Sequence, residues 1–136
     1  MEKIKIEAEV NTPVSKVWEY WTAPEHIVNW NFASDDWCCP SASNDLKAGG
    51  KYSARMEAKD GSFGFDFTAV YDKVVRNSLI QYTMEDGRVA ITDFEDLGES
   101  TKVTTHFDAE DQNPVEMQQQ GWQAILNNFK TYSEKN

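Results

Sequence analysis

Residues 113–132, Asn113-Pro114-Val115-Glu116-Met117-Gln118-Gln119-Gln120-Gly121-Trp122-Gln123-Ala124-Ile125-Leu126-Asn127-Asn128-Phe129-Lys130-Thr131-Tyr132, are the stretch on which the fold turns. Val115, Trp122, Ile125, Leu126, Phe129 and Tyr132 recur at helical spacing and put one apolar face on a long helix. Asn113 is placed to cap it, with Pro114 at the first helical position and Glu116 completing a capping box. A helix this long with one greasy face needs a broad apolar surface to lie against.

The preceding residues supply that surface. Working back from the helix, residues 100–108 and 88–96 read as strands joined at Gly98. Asp86-Gly87 is a hairpin signal before a strand over 79–84, and Arg76-Asn77-Ser78 turns the chain after a long strand over 63–74. Asp60-Gly61 closes another hairpin with Lys51 to Ala58, where Tyr52, Ala54 and Met56 share one face. Repeated hairpins mean consecutive antiparallel pairing, a meander. Residues 30–44 show no period and read as a loop whose large aromatics must pack over something. Before them, Pro24 to about Asn29 reads as a short helix. Val14, Val17, Trp18 and Trp21 mark another, with Thr12 as its cap and Pro13 at its first position. Residues 3–10 alternate strictly, as a half-buried strand does.

The reading is therefore an α+β fold over residues 1–136 as a single domain. A curved antiparallel sheet wraps the C-terminal helix, and two short helices follow the first strand. A helix lying in a curved sheet does not fill it from end to end, so a cavity is expected between them.

Composition narrows the function. The chain has 136 residues, 40% hydrophobic, with a formal net charge of -10. That size suits one core, and that charge repels phosphate backbones, so nucleic acid is not an expected partner. A basic patch for anionic membranes is disfavoured for the same reason. No apolar run approaches the roughly 20 residues that span a bilayer, so membrane insertion is not expected. The N-terminus carries no apolar signal-peptide core, which points to the cytoplasm. Adjacent Cys38 and Cys39 do not suggest a disulfide framework, and two histidines do not make a three-ligand zinc site. No metal or cofactor is expected.

Particular strings then carry a resemblance. Thr12-Pro13-Val14 with Val17-Trp18 and Trp21, Pro24-Glu25-His26-Ile27 before Trp30, and Asp36-Trp37 belong to it. So do Asp45-Leu46-Lys47-Ala48-Gly49-Gly50-Lys51-Tyr52, Met56, Asp60-Gly61 and Gly121-Trp122. With these the chain resembles the START-like (SRPBCC) superfamily, and within it the homologues of the activator of the heat-shock-protein-90 ATPase. The resemblance implies a helix-grip fold with an internal hydrophobic cavity that takes lipids or other apolar molecules. It also implies two alternatives, a chaperone cofactor or protein-interaction domain, and a cavity enzyme of cyclase or hydrolase type. The eukaryotic namesake carries a further N-terminal domain, whereas one fold uses this whole length, which favours a small apolar ligand or lipid over a chaperone partner. A homodimer is compatible with the sequence. In such folds the third strand commonly bends at a glycine. Thr68-Ala69-Val70-Tyr71 has none, so a bend there must arise otherwise.

The residues suggest no catalytic motif. Gly49-Gly50 lacks the context of a phosphate loop and reads as a turn into a strand. His106 falls on the solvent side of a strand whose Val103, Thr105 and Phe107 face inward, and His26 reads as a surface or packing residue. The candidate ligand contacts are a lid of Trp30, Phe32 and Trp37, a sheet wall of Met56, Phe65 and Phe67, Met117 near the mouth, and Trp122 on the helix. Two polar residues join them. Gln118 lies on the apolar stripe, where an amide without partners costs about 1–3 kcal/mol. Asp93 follows the phase of Val89 and Ile91, so it faces the cavity unless a bulge shifts the strand.

Overall fold

The computed structural model describes residues 2–136. Its elements are β1 (Lys3–Val10), α1 (Val14–Thr22), α2 (Pro24–Ile27), β2 (Trp37–Asn44), β3 (Lys51–Ala58), β4 (Gly64–Val75), β5 (Leu79–Met84), β6 (Val89–Asp96), β7 (Thr101–Asp108) and α3 (Val115–Lys135). The strands form one curled antiparallel sheet in the order β1-β7-β6-β5-β4-β3-β2. β2 to β7 are thus a meander, and β1 closes onto the last strand. The helices α1 and α2 carry the chain from one sheet edge to the other. This is the helix-grip architecture, with α3 as the gripped rod.

Long-range side-chain bonds fix α3 along the β1 edge. Gln119 Nε2 donates to the Lys5 carbonyl at 3.1 Å, and Lys130 Nζ donates to that of Glu9 at 2.9 Å. Gln123 sits between them, donating to the Glu7 carbonyl at 3.1 Å and accepting from the Glu7 amide at 3.3 Å. An edge strand offers a row of unpaired backbone groups, and these side chains on one helix face occupy several of them. The other edge, β2, is protected differently. Its pairing with β3 slips between Cys38 and Ser41, and the exposed Pro40 lies inside the slip.

That strand corrects the expectation of a loop over 30–44 in its second part, 37–44, while residues 30–36 are irregular as expected. A strand with one neighbour needs only half of its backbone paired, so Pro40 and a bulge are tolerated there and erase the period-2 signal.

Both helix starts also differ from expectation. The residue before the first turn is Pro13 in α1 and Pro114 in α3, and neither start has a side-chain cap. In each the extended proline places its own carbonyl to accept the first helical bonds, so the helix begins one residue later than the sequence suggests. The freed side chains serve elsewhere. Thr12 Oγ1 donates to the Ser133 carbonyl at 3.3 Å, and Asn113 Nδ2 donates to Glu110 Oε1 at 2.6 Å. Val115, assigned to the apolar face, is instead exposed at the open end of α3.

Two local features shape the sheet near its middle. The pairing of β4 with β5 slips between Tyr71 and Lys73, which supplies the bend that no glycine provides. Opposite it, Gly49 and Gly50 exchange backbone bonds with Tyr71 at 2.7 and 2.9 Å. Gly49 has φ +84°, and a Cβ on Gly50 would stand 1.9 Å from the Asp45 carbonyl oxygen. Only glycine fits this turn.

Candidate functional site

α3 packs along β1, with Trp122 against Phe107 of β7, and leaves the inner face of β3, β4 and β5 partly uncovered. On the covered side, Phe129 is fully buried with Trp21 and Trp30 edge-on to it, both at 4.9 Å. Phe94 packs edge-on against Trp18 at 5.3 Å and Trp21 at 5.7 Å, and Trp122 stacks on Phe107 at 3.8 Å. On the uncovered side a pocket of about 410 Å³ remains. Its wall on the sheet is chiefly Tyr52, Met56, Phe65, Phe67, Tyr71, Ile80 and Tyr82, reaching Ile6, Thr92 and Thr105 at its far side, and on the helix Trp122, Ile125 and Leu126. Trp21 and Trp30 close one end. A volume in the lower part of the roughly 300–1,000 Å³ range, with mostly apolar walls, suits a small molecule.

The polar groups of the wall stand at two places. Near Trp30, Asn31 Nδ2 donates to the Tyr52 hydroxyl at 3.2 Å. Tyr71 donates its hydroxyl to Asn44 Oδ1 at 2.6 Å, and Asn44 in turn donates to the Thr22 carbonyl at 2.7 Å, tying the sheet to the end of α1. Burial pushes the Tyr52, Tyr71 and Tyr82 phenols up, so all three keep their protons and can donate at neutral pH. At the other place, Thr92 and Thr105 bond each other at 2.8 Å beneath Arg88 and Glu110. A smaller opening of about 230 Å³ shares Arg88, Glu110 and Trp122 with the main pocket and continues past Gly121.

Of the expected contacts, Trp30, Met56, Phe65, Phe67 and Trp122 line the pocket together. The other candidates fall elsewhere. Phe32 and Trp37 pack on a separate small cluster around Cys39, Ala54 and Met56, and Trp37 meets Phe63 and Phe65 edge-on outside the pocket. Met117 is 59% exposed and lines only the smaller opening, as does Gln118. The Gln118 amide is already used. Its Oε1 accepts from the Glu110 amide at 2.9 Å, and its Nε2 donates to the carbonyls of Glu110 and Asn113 at 3.1 and 2.8 Å. Gln118 therefore braces the loop between β7 and α3.

Asp93 is exposed and lies on the outer face, contrary to expectation. There is no bulge. β6 pairs with β7 without a slip, and Ala90, Thr92 and Phe94 stand opposite the inward Phe107, Thr105 and Val103. The inner set is thus the even one. Val89 and Ile91 misled because they are half-buried on the outer side.

Sequence reasoning missed Asn31, Tyr82, Arg88 and the Thr92–Thr105 pair. Tyr82 had a usable signal, since Ile80, Tyr82 and Met84 alternate along β5. Arg88 had none, because a hairpin residue gives no phase. His26 is a packing residue. Its Nδ1 lies 2.6 Å from the Tyr132 hydroxyl, joining α2 to α3. Burial pushes the Cys39 thiol up, away from the reactive thiolate. Among the described residues no helix is long and apolar enough to cross a membrane.

Residues 11–134 match the family model described as Activator of Hsp90 ATPase homolog 1-like protein. A solution structure of a protein from Cytophaga hutchinsonii is 51% identical, with 98% of this chain and 93% of that one covered and a TM-score of 0.84. The AHSA1-like protein from Aeromonas hydrophila is 41% identical over the same shares, with a TM-score of 0.93. A crystal structure from Chromobacterium violaceum is 19% identical over the whole of both chains and shares the fold, with a TM-score of 0.89. No curated protein matches the sequence.

Proposed function

The chain belongs to the Activator of Hsp90 ATPase homolog 1-like family, and from that premise we propose that it holds one small, largely apolar molecule in the pocket between α3 and β3–β5. One observation carries the reading. Where α3 leaves the sheet, the inward aromatic side chains of β3, β4 and β5 border open space instead of being covered by the helix. Apolar surface left in contact with water is unfavourable by about 25 cal/mol per Å², and a ligand that displaces that water recovers part of it. Asp93 stands on the outer face and so brings no carboxylate to the pocket.

The test is direct. The protein is purified, examined by native mass spectrometry for co-purified mass, and extracted into organic solvent. A panel of fatty acids, sterols and aromatic compounds is then titrated against tryptophan fluorescence, which Trp21, Trp30 and Trp122 in the wall should report. One-to-one binding with a Kd of about 1–100 μM is expected. No change in fluorescence with any compound, and no co-purified mass, would end the reading.

A second reading has its own observation. Phe63 is 60% exposed and Phe65 42%, and with Trp37 they form an aromatic cluster on the surface that a protein partner could cover. The family description makes a chaperone of the Hsp90 type the partner to try. An ATPase rate of that chaperone unaltered by the added protein would remove this reading.

A further inference from the structure

Two donors on the pocket wall are left partly unused by the protein. The Arg88 side chain is only 17% exposed. Its Nε donates to Asp86 Oδ2 at 2.8 Å, and its Nη1 reaches the Asp108 carbonyl only at 3.4 Å. Nη2 has no protein acceptor among the described residues. A guanidinium carries five donors in a fixed fork, and one at a pocket wall with part of its fork unpaired by protein can take a ligand oxygen in place of water. On the same wall the Tyr82 hydroxyl also has no protein partner, although Tyr52 and Tyr71 beside it both do.

We propose that the ligand is an amphiphilic acid, whose apolar body lies among Tyr52, Phe67 and Trp122 and whose carboxylate meets Arg88 and Tyr82. This rests on the pocket being a ligand site. Three features select a carboxylate over other heads. A planar fork binds two oxygens of one group, the strongest arrangement such a donor offers. Tyr82 adds a neutral donor, which suits an acceptor-only head. Of the carboxylates at this neck, Asp86 takes only the Nε of Arg88, in an ion pair at 2.8 Å, and Glu110 is turned to the loop, with Oε1 accepting from Asn113 at 2.6 Å and no ion pair to Arg88. The smaller opening beyond Arg88, Glu110 and Trp122 leaves the head within reach of solvent, which keeps an ionised group from being fully desolvated.

The test uses three probes with one body, decanoate, decan-1-ol and decylamine, titrated against tryptophan fluorescence at pH 7.5. The wild type should bind decanoate about tenfold more tightly than decan-1-ol. Arg88→Gln should bring the ratio of acid to alcohol affinity to about one, and Tyr82→Phe should reduce that ratio by about threefold. If Arg88→Gln does not fold, the wild-type ranking and Tyr82→Phe decide. Equal binding of acid and alcohol by the wild type overturns the inference and leaves a ligand pocket standing. Tightest binding of decylamine overturns it in favour of Glu110. Binding of none of the three, with the broader panel also silent, overturns both the inference and the pocket's assigned role.

Discussion

The aromatic rings of this molecule fall into two groups that are packed differently. Against α3, Phe129, Trp21, Trp30, Phe94 and Trp18 meet with centroids 4.9–5.7 Å apart. On the inner face of β3, β4 and β5, Tyr52, Phe67, Tyr71 and Tyr82 stand 6.0–6.4 Å apart. The second group is carried by the sheet itself, whereas in the first only Phe94 is on a strand and the other rings come from α1, α3 and the segment after α2. The difference is the helix. Gln119, Gln123 and Lys130 bind α3 to the backbone of β1, so it fills one side of the curl and cannot also fill the other. One half of the sheet is therefore packed by the helix, and the other leaves its side chains bordering open space.

Mutations should separate the two halves. The largest effect belongs to the filled one. Phe129→Ala leaves a cavity in a fully buried site and should destabilise the fold by about 3–5 kcal/mol in urea unfolding. Phe67→Ala removes a ring of similar size from a wall that already borders open space, and should destabilise by only about 1 kcal/mol while weakening ligand binding. If the two substitutions are equally damaging, the contrast between halves is wrong.

Gly121→Ala sharpens it from the helix side. A Cβ there meets nothing within 4 Å, so the gain in helix propensity should appear undiminished, about 0.5–1 kcal/mol of added stability.

Acid probes the strap across the filled half. The Lys3 ammonium, 2.5 Å from Asp108, and the Val89 amide hold the Asp108 carboxyl below its usual range. A depressed carboxyl stabilises the fold fully above its unfolded value and loses that contribution as pH falls through the folded one. The wild type should thus lose more stability than Asp108→Asn between about pH 5 and pH 2, read as the shift in urea midpoint. A parallel loss in both would show that the strap contributes nothing.

Tyr82→Phe should be the mildest. The hydroxyl has no protein partner, so stability should move by less than about 0.5 kcal/mol. A larger loss would mean that the open wall is structurally committed after all.

Much of the site could be read along strands and much could not. Met56, Phe65 and Phe67 follow clear alternation, and Trp122 follows helical spacing, so their inward direction was legible. Trp37 was not, because an edge strand broken by Pro40 and a slipped register has no period from which to read a side, and Phe32 was not, because it lies in the irregular segment before that strand. Asp93 was misread through Val89 and Ile91. An apolar residue half-buried on the outer face looks the same in sequence as one on the inner face. The pairing partner across the sheet resolves the phase.

The sequence by itself determined the meander, the long terminal helix, the glycine turn at Gly49-Gly50 and the acidic exterior, since each follows from local periodicity, local backbone geometry or composition. Tertiary structure decided where the helix lies across the sheet, and with that which aromatics are core and which are pocket wall. It also decided that Gln118 braces a loop while Arg88 and Tyr82 keep donors free. The placement of the helix depends on residues more than a hundred positions apart, as with Gln123 and Glu7, and no local pattern encodes which of two inward faces it will cover.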